Sequence, residues 1–178
     1  MTREALLEKW RRERERAAFL ALDDGAVFRG VAFGARKDAL GEVVFNTGMT
    51  GYQEIVTDPS YAGQFVALTV AEVGNYGTSC GEDAESASLP LSGLVVGDLT
   101  LPSSFRSEAS LDEYLRAGGV PGIYGVDTRA LTLHIREHGN RKAYLCAGNP
   151  KNPGIPEIPD IPDIPDIPDI PGIPDNPD

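Results

Sequence analysis

Cysteine is scarce: Cys80 and Cys146 are the two in 178 residues. That is too few for a disulfide scaffold, and neither sits in C-x-x-C spacing, so a reducing, cytoplasmic setting is expected. No apolar run reaches the roughly 20 residues that a membrane-spanning helix needs. The amino terminus is charged and lacks the apolar core of a secretory signal, so no membrane partner is expected. Positive charge is also short. Lys and Arg number 16 against 27 Asp and Glu, for a net charge of −11, and nothing suggests a nucleic-acid partner. No G-x-x-x-x-G-K-[ST] occurs. Gly119, Gly122 and Gly125 recur at every third position, but without the strand-to-helix context of a phosphate loop, so ATP binding by this chain is not indicated.

The charge is uneven. Residues 150–178 hold six Asp, Glu157 and Lys151, for a net −6, which leaves a mildly acidic −5 for residues 1–149. Ten of the 14 prolines lie between 149 and 178, and from Ile155 the sequence repeats Ile-Pro-Asp/Glu/Gly with period three. Proline at that spacing removes amide donors and favours polyproline II, and 24 such residues would span roughly 70 Å. Glycine does not occupy every third position, so collagen is excluded. The tail reads either as an acidic spacer or ligand for an aromatic-lined groove, or as a translated tandem repeat after a frameshift or truncation. Residues 1–16, MTREALLEKWRRERER, read as a helical extension with a narrow stripe of Leu6, Leu7 and Trp10. It is either solvated or a docking helix.

The domain itself is expected over residues 17–148. Apolar runs predict strands near 17–22, 27–33, 42–47, 65–70, 92–98, 122–126 and 142–147. Helices are predicted at 50–57, 111–117 and 128–138. Thr50 with Gln53, and Ser110 with Glu113, have capping-box spacing. Asp127 and Gly139 bracket the last helix. Asp23-Asp24-Gly25 reads as a hairpin turn, and Asp58-Pro59-Ser60 as a second turn. Strands outnumber helices and the helices come late, which predicts an α/β fold, β-rich, with a mixed sheet in layers rather than a doubly wound parallel one.

The densest stretch is Gly41–Gly77, GEVVFNTGMTGYQEIVTDPSYAGQFVALTVAEVGNYG. Its NTGMTGYQE, TDPSYAGQ and GNYG blocks resemble the N-terminal domain of the small subunit of glutamine-dependent carbamoyl-phosphate synthase. The likeness continues through FLALDDGAVFRGVAFGA before it. After it come SGLVVGDL, SSFR, SLDEYL and GVPGIYGVDTRALTLHIREHG, in the family's order. It covers roughly Ala17 to Gly148.

The resemblance implies a three-layer β/β/α domain of swivelling type. It implies docking on the carbamoyl-phosphate synthase large subunit, so that a glutaminase in an adjoining domain delivers ammonia there, within arginine and pyrimidine biosynthesis. No cofactor is expected in this chain; ATP, bicarbonate and metal are expected on the large subunit. The tail begins where the glutaminase would follow, which suggests a truncated or frameshifted product that is catalytically silent in isolation. The alternative is a non-enzymatic interaction module using the domain or the polyproline-like tail. At Gly48 the family often carries a serine that reaches the glutamine site. Here only backbone is available for that substrate contact, and a glycine meeting a tight turn explains the position equally. At Gly97 the family commonly has arginine.

No catalytic residue is assigned. Cys80 lies in a polar loop, TSCGED, and Cys146 in a strand, where a small buried hydrophobe is the plainer role. His134 and His138 share a helix face, and His134-Ile-Arg-Glu-His138 matches H-x-x-E-H. His138 at a helix carboxyl end is explained by the helix dipole, and no second helix offers a third ligand, so no metal is expected.

Overall fold

Burial follows the strand period closely enough to define two cores, one on each side of a closed sheet. The computed structural model describes residues 17–79, 86, 88–104 and 107–147. The expectations for residues 1–16, for Cys80 and for the tail from residue 149 lie outside those residues. Nine strands and three α-helices occur among the described residues. They run β1 (Ala17–Leu22), β2 (Val27–Gly34), β3 (Ala39–Asn46), α1 (Tyr52–Thr57), β4 (Gln64–Leu68), β5 (Glu72–Val73), β6 (Gly93–Val95), β7 (Asp98–Leu99), α2 (Leu111–Ala117), β8 (Pro121–Tyr124), α3 (Thr128–His138) and β9 (Arg141–Cys146).

Seven strands pair in the order β1-β2-β8-β6-β4-β3-β9, and β9 returns to β1, closing a barrel. The pairs β3–β4, β4–β6 and β6–β8 are parallel, while the other four are antiparallel. The expected mixed sheet is therefore present, and it closes on itself. Closure removes every open edge, which an open sheet would have to cover or charge. The short strands β5 and β7 form a separate parallel pair. They split the expected 92–98 strand, because the chain leaves the barrel after Val95. The expected 122–126 strand ends at Tyr124, where Gly125 takes φ 79°.

Alternate residues of a strand face opposite sides. Leu20, Ala32, Val43, Phe65, Val95, Ile123 and Leu145, one from each barrel strand, belong to one buried cluster, which is the barrel interior. Leu131 and Ile135, four apart on α3, enter the same cluster and close one end. Phe33, Val66, Leu68 and Leu94 face outward into a second cluster with Val56 of α1 and Leu111 and Leu115 of α2. The β4 strand is thus buried on both faces. That is why its sequence is a continuous apolar run rather than an alternation.

Parallel neighbours need crossover connections, and α1 lies in the one between β3 and β4. Helix α2 carries the expected capping box: the Ser110 hydroxyl accepts from the Glu113 amide at 3.3 Å, and Glu113 Oε2 accepts from the Ser110 amide at 2.9 Å. Asp112 Oδ1 accepts from the Gly34 amide at 2.7 Å, tying α2 to β2. At the start of α3, Asp127 Oδ1 accepts from the Ala130 amide at 2.8 Å.

The glycines at 119, 122 and 125 meet three separate demands. Gly119 and Gly125 have φ 71° and 79°. Gly122 sits opposite Phe33 in the β2–β8 register, and a Cβ there would lie 2.4 Å from the Phe33 ring. Each glycine thus has its own local structural cause, although Gly125, contrary to expectation, does lie in a strand-to-helix connection, between β8 and α3. Among the described residues no helix is long and apolar enough to cross a membrane.

Candidate functional site

Four strands, β3, β4, β6 and β8, run parallel, so their carboxyl ends share one end of the barrel. Gly48 follows β3 there, Gly97 follows β6, and α3 follows β8. Positions far apart in sequence are thereby brought to one end. A cavity of about 310 Å³ opens at the carboxyl ends of β3 and β4, lined by Gly48, Met49, Tyr52, Ile55, Val70 and Tyr76 among others. Met49 is 83% exposed at this site.

The loop between β3 and α1 is held from below by Asn46. Its Oδ1 accepts from the Gly48 amide at 2.6 Å, and its Nδ2 donates to the Tyr61 hydroxyl at 3.0 Å. Gly48 does not take a positive φ. A Cβ there would sit 2.9 Å from Asn46 Oδ1, so glycine allows the close approach of that side chain.

The expected Thr50–Gln53 capping box does not form. Gly51 is the N-cap of α1, with φ 80° and no side-chain cap of its own. The Tyr76 hydroxyl accepts from both the Gly51 and Tyr52 amides, each at 2.9 Å, and so serves the helix start from 25 residues away. Gln53 is buried and committed elsewhere. Its Nε2 donates to the Ser79 carbonyl at 2.7 Å, and its Oε1 accepts from the Ser79 amide at 3.0 Å. A buried amide side chain satisfied at both ends is worth more there than an exposed cap.

Tyr52 completes the bracket. Its hydroxyl donates to the Gly77 carbonyl at 2.6 Å, and its ring stacks on Tyr76 at 4.0 Å. Burial, and then the adjacent Tyr76 phenol, push its pKa above the ordinary 10.0. Tyr76 stands in GNYG between Gly74 and Gly77, which take φ 102° and 69°. A tyrosine framed by turn glycines was the available signal.

The remaining candidates separate. His134 Nε2 lies 2.6 Å from Asp24 Oδ2 on the β1–β2 hairpin, and its ring stacks on His138 at 4.5 Å. His138 Nδ1 is 3.0 Å from the His134 carbonyl. Arg141 Nε stands 3.3 Å from Asp24 Oδ2, near enough for attraction but without hydrogen-bond geometry. Burial opposes ionisation of Asp24, but the His134 hydrogen bond, the Ala26 amide and the charges of His134 and Arg141 outweigh it and hold its pKa below 3.8. These contacts fasten the hairpin to α3. Among the described residues no three His, Cys, Asp or Glu side chains gather as metal ligands.

Cys146 is half-buried, not buried as expected, at the far end of β9. That strand puts it roughly 17 Å from the end that adjoins α3, too far for a thiol–imidazole pair. Gly97 is half-buried, with room for a Cβ at ordinary contact distance. A Cβ would meet nothing closer than the Ala71 carbonyl at 3.5 Å and Thr128 Oγ1 at 3.7 Å.

A family model described as carbamoyl-phosphate synthase small chain, CPSase domain, matches residues 20–145. The carbamoyl phosphate synthase small chain of Oceanobacillus iheyensis is 53% identical over 127 residues, covering 71% of this chain and 34% of that protein. That of Vibrio vulnificus is 53% identical over 135 residues, with 75% and 35% covered. That of Syntrophotalea carbinolica is 55% identical over 123 residues, with 68% and 32% covered. The chain spans about a third of the length of the curated relatives it matches. Among solved structures, the aminopeptidase from Aneurinibacillus sp. strain AM-1 aligns at TM-score 0.41 and 14% identity over 74% of this chain and 30% of that one, too slight a likeness to carry an argument. With the match running from β1 through β9, the chain belongs to the carbamoyl-phosphate synthase small-chain family, in its N-terminal, CPSase domain.

Proposed function

We propose that residues 17–148 serve as the docking domain of a glutamine-dependent carbamoyl-phosphate synthase small subunit, seated on the large subunit so that a glutaminase can pass ammonia to it. The observation that carries this reading is the bracket of Gln53, Tyr52 and Tyr76. It spends its polar groups on holding residues 46–79 in one shape, while Met49 stands 83% exposed beside the cavity. A rigidly held loop presenting a large apolar side chain is suited to a partner surface.

Glutamine hydrolysis is assigned to protein outside residues 17–147, since the described Cys146 and His134 stand apart. ATP, bicarbonate and metal are assigned to the large subunit. The pathways are then arginine and pyrimidine biosynthesis, in the cytoplasm. Gly48 faces the glutaminase in this reading; its amide is taken by Asn46, which leaves its carbonyl for a glutamine contact. In this reading the domain is of the family's swivelling β/β/α type; its closed mixed sheet with α1 and α2 packed outside is what supports that. Residues 1–16 and 149–178 flank that domain as an extension and a low-complexity tail.

The test is a titration of the full chain against a large subunit from an organism of one of the matched relatives. A complex that Met49→Glu weakens by about tenfold is expected, because a charge would be buried at the contact. Absence of binding at high micromolar concentration, with that relative's own small chain binding, would overturn the proposal.

A further inference from the structure

The turn between β1 and β2 contains Asp24 followed by Gly25, a pair with chemistry of its own. Glycine has no Cβ to hinder its amide nitrogen, which can attack the Cγ of a preceding aspartic acid. Water leaves and a cyclic succinimide forms. Water then adds at the α-carbonyl and opens the ring to isoaspartate, whose main chain runs through Cβ and Cγ. The net change is an isomerisation and needs no co-reactant.

The fold keeps this pair in place. Gly25 takes φ 90°, which strains any other residue, although a Cβ there would meet nothing within 4 Å. It is also exposed, so burial does not keep water away.

Other contacts oppose the reaction. Asp24 Oδ1 accepts from the Ala26 amide at 3.1 Å, and Oδ2 faces His134 Nε2 at 2.6 Å and Arg141 Nε at 3.3 Å. The His134 ring is placed by the edge of Phe28 and the stacked ring of His138. Asp23 belongs to the same cluster, its Oδ1 4.0 Å from Arg141 Nε and its Oδ2 accepting from the Lys142 amide. An ionised carboxylate engaged through both oxygens is a poor electrophile, and it is not free to turn its Cγ toward Gly25. The attacking group is engaged as well, since the Gly25 amide donates to the Leu22 carbonyl at 3.0 Å.

We propose that Asp24–Gly25 is a latent isoaspartate site, held silent by His134 of α3 and Arg141 of β9. Conversion lengthens the turn by one main-chain atom. The hydrogen bond from the Leu22 amide to the Ala26 carbonyl, now 2.8 Å, is then lost, and the displaced carboxylate leaves His134. The β1–β2 hairpin is thereby released from α3.

The experiment ages the full chain in heavy-oxygen water at neutral pH. Ring opening labels residue 24, and peptide mass spectrometry reads the label and the isoaspartate together. The urea-unfolded chain should convert about tenfold faster than the folded one, or more, because it regains local freedom. Folded His134→Ala should convert about fivefold faster than folded wild type, the scale of an exposed ion pair. His134→Gln, whose amide can still donate to Asp24, should stay within about twofold of wild type. Amide exchange of the barrel strands separates release of the hairpin from unfolding. Should His134→Ala not fold, Arg141→Gln carries the same test with the same expected acceleration. A folded wild type that converts at the unfolded rate would overturn the proposal. So would a folded variant lacking His134 or Arg141 that converts no faster than wild type. None of these readouts involves the large subunit.

Discussion

Tyr76 caps the helix that Tyr52 begins. Its hydroxyl takes the amides of Gly51 and Tyr52, the two rings stack at 4.0 Å with 16° between their planes, and Tyr52 returns a hydrogen bond to the Gly77 carbonyl. Two elements joined by no strand pairing are thus held together by two phenols. The first amides of a helix have no intrahelical acceptor, and a partner from another segment serves as well as a local cap.

Removing either hydroxyl leaves polar backbone unsatisfied. Tyr76→Phe should cost about 1–3 kcal/mol, since two amides lose their acceptor, and Tyr52→Phe about 1–2 kcal/mol. Because the rings touch, the double variant should depart from additivity by about 0.5 kcal/mol or more. Urea denaturation of the four proteins measures the coupling; additive losses would mean the pair does not act as a unit.

The same tyrosines predict behaviour at high pH. Burial raises the pKa of Tyr52, and burial followed by the Asp38 hydrogen bond and charge raises that of Tyr144, both from 10.0. A phenol whose folded pKa is raised stabilises the fold fully below the unfolded value and loses that contribution as pH rises past it. The midpoint of unfolding should therefore fall once pH exceeds about 10. Tyr52→Phe should flatten that fall, since phenylalanine cannot ionise. A slope identical in wild type and variant would contradict the assignment.

The acid side has the opposite sign. Asp24 has a lowered folded pKa, so its contribution is present above the unfolded value of 3.8 and is lost as pH falls through the folded one. Asp24→Asn should lower stability at pH 7 by roughly 0.5–1 kcal/mol, as expected of a largely solvated pair. It should also reduce the further loss of stability seen below pH 3.8. Thermal midpoints of both proteins from pH 7 to pH 2 provide the comparison.

Two glycines should respond in opposite ways. At Gly122 a methyl would meet the Phe33 ring at 2.4 Å in a packed wall, so Gly122→Ala should cost about 1–3 kcal/mol. At Gly97 the first contact is at 3.5 Å, so Gly97→Arg should change stability by less than about 0.5 kcal/mol. In the proposed complex that arginine should strengthen large-subunit binding, a result the same titration would read.

The sequence by itself determined the local elements. Helices α2 and α3 lie where capping residues and glycines predicted them, at 111–117 and 128–138, and β1 spans 17–22 as expected. Caps, turns and apolar periods act over a few residues and are legible without the rest of the chain. The family was legible too, because NTGMTGYQE and GNYG are strings.

Tertiary structure alone decided that the mixed sheet closes, because β9 pairs with both β1 and β3 through hydrogen bonds that no local pattern encodes. It also overruled the Thr50–Gln53 cap. Gln53 gains two bonds by reaching the buried backbone of Ser79, and the helix start it left is satisfied by Tyr76. In both cases the deciding contact lies across the fold, where the free energy of satisfying a buried polar group exceeds that of the nearby exposed alternative.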